Sequence, residues 1–152
     1  MKIRTSYFYQ IRNFKKNMIP VSTAMSDPLW YRPEQGQEYF FDKRGIVNGL
    51  RYTPLIVQGG FECGCPCETR QYGSCSFLKD YAQALNTVDF DKMLKAFEYC
   101  GNKFVKDDEP IIVLMVYEVP SNYCSERIAL QNLFQQHGVE CKELEYPIAA
   151  VR

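Results

Sequence analysis

The chain has no excess of charge of either sign, since its 152 residues include 18 basic and 18 acidic side chains. A protein without a positive excess has no general attraction for nucleic acid or for an anionic membrane, so nucleic acid is disfavoured as a partner. Histidine is almost absent as well. The single one, His137, stands at the end of the last predicted helix, whereas Cys124 precedes its start. A catalytic Cys–His dyad is therefore nearly excluded.

Long apolar runs are also lacking. A membrane-spanning helix needs roughly 18 apolar residues in succession, and the longest apolar stretch here is the strand-length segment 111–117. The first residues carry neither the apolar segment nor the small-residue cleavage site of a secretory signal. We expect a cytoplasmic protein without membrane contact, in which the seven cysteines are thiols or metal ligands rather than disulfides.

The apolar patterns that are present predict an α/β fold. Segment 111–117 is apolar throughout, as in a strand covered on both faces. Segment 90–100 places its apolar residues on one helical face, with Asp89 as the N-cap. Further strands are predicted at 2–8, 18–22 and 139–146, with a short one near 55–58, and further helices at 77–85 and after Cys124. Pro20 indicates that the second strand lies at an edge of the sheet or has an irregular start.

This order of elements indicates a three-layer, Rossmann-like domain with a mainly parallel sheet. We expect a single domain over 1–152, in which 32–76 is a cysteine-rich loop insertion. Glycines break every candidate element in that insertion. So long a loop without structure of its own is uncommon in a compact domain, and a metal site would hold it together.

The first candidate site residues follow the buried strand 111–117. In open α/β sheets, ligands bind beyond the carboxyl ends of the strands, beside the start of the next helix. Glu118, Cys124, Ser125 and Arg127 occupy that position. The helix start would stabilise an anion and Arg127 would donate to it, or the helix start would lower the pKa of the Cys124 thiol. The structural alternative is a buried Cys124 with Glu118 and Arg127 paired across the turn.

Hydroxyl, carboxyl and aromatic side chains at the ends of the first two strands would join them. If the first strand lies parallel to the buried one, its polar groups emerge at the same edge of the sheet, where a nucleoside, nucleotide or sugar phosphate would fit. These residues are Thr5, Ser6, Tyr7, Ser22, Asp27 and Trp30. The sequence leaves open whether the protein is an enzyme. If it is, Glu118 or Asp27 is the catalytic acid or base.

Four cysteines cluster in the middle of the chain. Cys63, Cys65, Cys67 and Cys75 lie in a short glycine-containing segment. Structural zinc sites are tetrahedral thiolate cages, and iron–sulfur clusters also take four cysteines. The spacing matches neither paired zinc knuckles nor a ferredoxin, and free thiols are the third interpretation. If these cysteines bind a metal, we expect it to be zinc rather than an iron–sulfur cluster.

Both ends of the chain resemble a family of uncharacterised bacterial and phage proteins, the DUF488 family. The resemblance lies in Thr5-Ser6-Tyr7-Phe8, in Ser22 with Asp27-Pro28-Leu29-Trp30, and in the turn Glu118-Val119-Pro120 followed by Cys124 and Arg127. The family has Cys-His-Arg at this helix start, whereas here Ser125 and Glu126 separate the cysteine from the arginine. Any role of that histidine does not carry over. The resemblance implies an α/β fold and no agreed activity.

Two functions follow from these patterns. The first is binding of a nucleotide-like or other anionic small molecule at the carboxyl edge of the sheet, with or without a reaction. The alternative is a metal-stabilised phage or bacterial accessory protein that binds a macromolecular partner through the cysteine segment and some of its 11 tyrosines.

Overall fold

The computed structural model describes residues 1–57, 76–120 and 125–145, which contain both strands and helices. The strands are β1 (Lys2–Tyr7), β2 (Met18–Ser22), β3 (Phe40–Phe41), β4 (Val47–Asn48), β5 (Ile111–Val116) and β6 (Cys141–Glu143). The α-helices are α1 (Ser76–Leu85), α2 (Phe90–Phe104) and α3 (Arg127–Gln136), and 3-10 helices occupy Phe8–Asn13, Leu29–Tyr31 and Thr53–Leu55. No helix in these ranges is long and apolar enough to cross a membrane.

A four-stranded parallel sheet in the order β2-β5-β1-β6 organises the fold. The apolar strand β5 lies between β1 and β2, with Ile112 opposite Ile3 on one side and Ile19 on the other. Pro20 lies in β2 at the edge of the sheet, as predicted, because a proline has no N–H for a second neighbour. The prediction of an α/β fold with a mainly parallel sheet is confirmed.

The α-helices cover one face of the sheet, and the first two 3-10 helices cover the other. On one face, Met93 and Phe97 of α2 and Phe134 of α3 pack with Ile112 and Leu114 of β5. The opposite face is covered by the first 3-10 helix and by the chain between β2 and β4. These contribute Phe8, Ile11, Phe14, Ala24, Tyr31 and Ile46, which pack with Val113 and Met115 of β5. The alternating side chains of β5 are thus buried on both faces, as its uninterrupted apolar sequence requires.

Segment 32–57 contains more structure than the sequence pattern indicates. Strands β3 and β4 form a short antiparallel hairpin that the pattern does not predict. Asp42 stabilises its turn, because its carboxylate accepts hydrogen bonds from the backbone N–H groups of Arg44 and Ile46. The strand predicted near 55–58 is wrong for its first residues, since Leu55 ends a 3-10 helix that contains Pro54. Strand β6 is also shorter than the predicted 139–146 and ends at Glu143.

The N-cap of α2 provides a test of the local structure. The Asp89 side chain accepts a hydrogen bond of 3.1 Å from the backbone N–H of Lys92. Replacement of Asp89 by alanine removes this bond, and we expect the free energy of unfolding to fall by about 1 kcal/mol in urea denaturation. Asp91→Ala changes an exposed acid in the same helical turn and serves as the control. Equal losses in the two variants would contradict the capping role.

Candidate functional site

Two clusters of polar side chains lie at the carboxyl edge of the parallel sheet, one beyond β2 and one between β1, β6 and α3. The Asp27 cluster consists of Ser22, Asp27 and Arg51. The α3 cluster consists of Thr5, Ser125, Arg127, Gln131 and Glu143. Five of the predicted site residues are therefore divided between two groups with different environments: Ser22 and Asp27 in one, Thr5, Ser125 and Arg127 in the other.

The Asp27 cluster holds a guanidinium group at the edge of the sheet. Asp27 is only 5% exposed, and its carboxylate accepts a hydrogen bond from the Ser22 hydroxyl. The other carboxylate oxygen pairs with Arg51 at 2.5 Å. Arg51 also donates to the Ala24 carbonyl at 3.1 Å, while its side chain remains 35% exposed. The backbone favours this contact, because Ser22 and Arg51 form an isolated parallel bridge.

Aromatic and cationic side chains surround the Asp27 cluster. Burial raises the pKa of Tyr117, with the Asp27 carboxylate adding to the rise and the guanidinium groups of Arg32 and Arg51 opposing it. Asp27, Arg32 and Arg51 therefore all lie within electrostatic reach of Tyr117. Tyr117 is 49% exposed and Trp30 is 55% exposed. The edge thus presents the accessible Tyr117 ring beside two guanidinium groups and one carboxylate, while the accessible Trp30 ring shares with Tyr117 a contact to the buried Phe8 ring.

The α3 cluster is largely closed. Arg127 is 5% exposed, and its Nε donates to a carboxylate oxygen of Glu143 at 2.9 Å. The same oxygen of Glu143 accepts from the Thr5 hydroxyl at 2.8 Å, and Thr5 in turn accepts from Gln131 at 2.7 Å. Burial raises the pKa of Glu143, and Arg127 opposes the rise. Since the guanidinium of Arg127 is buried against its own carboxylate, the alternative of a Glu118–Arg127 pair is wrong.

Two glutamates form an acid pair between β5 and α3. Glu118, which follows β5, lies close enough to Glu126, which precedes α3, for the two carboxyl groups to interact electrostatically. Burial and then the charge of Glu118 raise the pKa of Glu126 to about 8, although Arg127 lowers it. One oxygen of Glu118 is buried and has no hydrogen-bond partner among the described residues. The Glu126 carboxyl group is therefore largely protonated at neutral pH, which is a typical property of a carboxyl group that can act as an acid.

The other predicted residues differ in their accessibility. Ser6 is buried in β1, and the Tyr7 hydroxyl accepts a hydrogen bond from Gln10 at 2.6 Å. Ser125 is also buried, and its hydroxyl accepts from the backbone N–H of Arg127 at 3.3 Å. These contacts support the local fold and leave little of Ser6 and Ser125 for a ligand.

The predicted cysteine sites lie outside the described residues. This applies to Cys124 and to the four proposed metal ligands Cys63, Cys65, Cys67 and Cys75. Within the ranges that the structure describes, no group of three or more His, Cys, Asp or Glu side chains could hold a metal ion. The zinc and iron–sulfur hypotheses therefore stay predictions.

Sequence patterns miss Arg51, Glu126 and Glu143. Arg51 lies in a segment without periodicity, and only tertiary structure places it beside Asp27. Glu143 lies within the predicted last strand, but only the parallel register of β1 and β6 in the structure shows that it is the partner of Thr5. Glu126 lies within the segment named as a helix start, but its acidic partner Glu118 is separated from it by a turn.

Comparisons with protein-family models, curated proteins and solved structures found no match.

Proposed function

We propose that the chain binds a nucleotide-like or other anionic small molecule at the carboxyl edge of the sheet. Arg51 and Arg32 hold the anionic group, and the exposed rings of Trp30 and Tyr117 contact the planar part of the ligand. The observation that carries the proposal is the Asp27 cluster, in which a buried carboxylate fixes a guanidinium group that remains partly exposed.

Geometry favours Arg51 over Arg127 as the anion ligand. Both guanidinium groups pair with a carboxylate, but the side chain of Arg127 is 6% exposed and that of Arg51 is 35% exposed. Near Asp27, Arg32 adds a second positive charge and lies 3.4 Å from the Ser26 hydroxyl. The carboxylate of Asp27 therefore neutralises only one of the two guanidinium groups. Arginine suits the recognition of phosphates and carboxylates because its planar fork donates two parallel hydrogen bonds.

Exposed rings support a ligand with a planar part. The Phe8 ring lies 4.9 Å from the Tyr117 ring and 6.4 Å from the Trp30 ring, measured between centroids. Phe8 is buried, so it supports both exposed rings from beneath. A nucleobase or similar ring can stack on such side chains, and this contact contributes about 1–3 kcal/mol per base in nucleic-acid complexes. If a reaction accompanies binding, the Glu118–Glu126 pair is the candidate acid.

The proposal is tested by calorimetric titration with nucleoside monophosphates, nucleosides and inorganic phosphate. We expect at least one nucleotide to bind, and we expect Arg51→Lys to weaken it about tenfold or more, because lysine keeps the charge but loses the fork. Arg4→Lys is the matched control. Arg4 also pairs with a carboxylate, that of Glu140, but it lies in β1 and belongs to neither cluster. Unchanged affinity in folded Arg51→Lys, or no binding of any probe, would overturn the proposal.

A protein partner is the second candidate. Three apolar side chains near the same edge are strongly exposed: Leu29 at 81%, Met25 at 62% and Trp30 at 55%. Contiguous exposed apolar groups are typical of interaction surfaces. Metal analysis of the purified chain addresses the associated zinc hypothesis. Stoichiometric zinc together with no nucleotide binding would favour this second function.

A further inference from the structure

A cavity of about 360 Å³ lies between the first 3-10 helix, the β3–β4 hairpin and Trp30. This volume falls within the range of small-molecule sites in proteins. Its walls are mainly apolar, and they include the rings of Phe8, Tyr9, Trp30 and Phe40. The cavity is distinct from the Asp27 cluster, none of whose members lines it.

One buried polar group in the cavity wall lacks a partner. Asn48 is 2% exposed, and its Nδ2 donates to the Ile46 carbonyl at 3.2 Å. This bond fixes the orientation of the amide, because a flipped amide would place two oxygens against each other. The Oδ1 of Asn48 then has no hydrogen-bond partner among the described residues. An acceptor that is buried without a partner costs about 1–3 kcal/mol, so a ligand donor that satisfies it would gain affinity.

The charged side chains of the cavity differ in their availability. Arg44 pairs with Asp42 at 2.7 Å and donates to the Ile11 carbonyl at 3.0 Å, so it fixes the hairpin to the 3-10 helix. Arg12 lies with its guanidinium 3.8 Å from the centre of the Tyr9 ring. The stacked pair of Arg12 and Tyr9 forms a flat wall. Aromatic walls and a single unpaired acceptor together define the ligand: it is planar, mainly apolar and carries one N–H donor.

We propose that this cavity binds a planar heteroaromatic ring with a single N–H group, of the indole type, and that the N–H donates to Oδ1 of Asn48. The oxygen is covered in the absence of a ligand, so the ring reaches it by displacing a neighbouring side chain of the wall, while the amide keeps its bond to the Ile46 carbonyl. A nucleobase fits this cavity less well, because its additional carbonyl and amino groups would be buried against apolar walls without partners. The inference does not depend on the proposed function at the Asp27 cluster.

Indole and 1-methylindole form a matched pair of probes, because methylation removes only the N–H donor. In NMR titrations of the wild-type chain we expect indole to shift the side-chain amide signals of Asn48 saturably. We expect 1-methylindole to bind at least about tenfold more weakly, because a buried site that forms a hydrogen bond discriminates against a ligand that lacks the donor. Equal affinity for the two probes, or no shift of the Asn48 signals, would overturn the inference.

Two variants complete the test. Asn48→Leu keeps the size of the side chain and removes the acceptor, so we expect indole and 1-methylindole to bind it with equal affinity. Asn102→Leu makes the same substitution at an exposed asparagine of α2 and is expected to keep the wild-type preference for indole. If Asn48→Leu does not fold, the comparison of the two probes in the wild-type chain decides the matter alone.

Discussion

Replacement of Arg127 by methionine is expected to lower the free energy of unfolding by about 3 kcal/mol. Removing one partner of a buried ion pair leaves the other charge without compensation, which costs about 3–5 kcal/mol. The Glu143 side chain is 27% exposed, so water reduces the penalty towards the lower end of this range. Methionine fills part of the volume of the arginine side chain and thereby limits the loss of packing. Urea denaturation at pH 7 measures the effect.

A double-mutant cycle distinguishes the ion pair from packing. Glu143→Gln removes the charge that Arg127→Met leaves unpaired, so we expect the double variant to be more stable than Arg127→Met alone. Arg4→Met is the control, because Arg4 pairs with Glu140, whose side chain is 70% exposed. Its ion-pair contribution is expected to be below about 1 kcal/mol. Additive losses in the double variant would show that Arg127 acts through packing alone.

Stability should also fall as the pH rises towards 8, because of Glu126. The pKa of Glu126 in the folded chain is raised to about 8 from an ordinary value of 4.5. Between these values the folded state binds a proton that the unfolded state has lost. The contribution is therefore fully present below pH 4.5 and is lost as the pH rises through about 8. The largest slope for one group is about 1.4 kcal/mol per pH unit, and the total loss is of the order of a few kcal/mol.

Glu126→Gln removes this titration but retains a donor to Glu118. We expect the variant to be more stable than the wild-type chain at pH 8.5, and the difference to shrink towards pH 5. Thermal denaturation over this pH range measures both stability curves. Glu98→Gln replaces an exposed glutamate on α2 and should leave the pH profile unchanged. Identical profiles for the wild-type chain and Glu126→Gln would show that the pKa of Glu126 is not raised in the folded chain.

The main elements of the fold are predictable because their signals are local. The apolar segment 111–116 forms the central strand β5, and Phe90, Met93 and Phe97 form the buried face of α2. Gly138 has a φ of 74° after the last helix, in agreement with the predicted helix end. The β3–β4 hairpin depends on hydrogen bonds between Asp42 and its turn, which leave no periodic pattern in so short a strand pair.

The candidate site is less predictable, because its pairs join distant segments. Sequence patterns predict that Ser22, Asp27 and Arg127 lie at the carboxyl edge of the sheet, where the structure also brings polar side chains together. They do not show that Arg127 pairs with Glu143 or that Asp27 pairs with Arg51. The availability of an arginine to a ligand depends on such partners, and partners are decided by tertiary structure. For this reason the predicted anion ligand Arg127 is buried, and Arg51 replaces it in the proposal.

Pro20 lies on the outer side of the edge strand β2 and limits the pairing of this strand with strands of other molecules. Ser22 uses its N–H and carbonyl on that side for Leu50 and Tyr52, and Pro20 has the same orientation two residues earlier. Pro20 has no N–H to offer, and its carbonyl oxygen lies 3.0 Å from the Tyr31 hydroxyl. An approaching strand would thus find no free N–H donor at either residue, and the Ser22 carbonyl already accepts from the Tyr52 N–H. This margin of the sheet resists the intermolecular strand pairing that leads to aggregation.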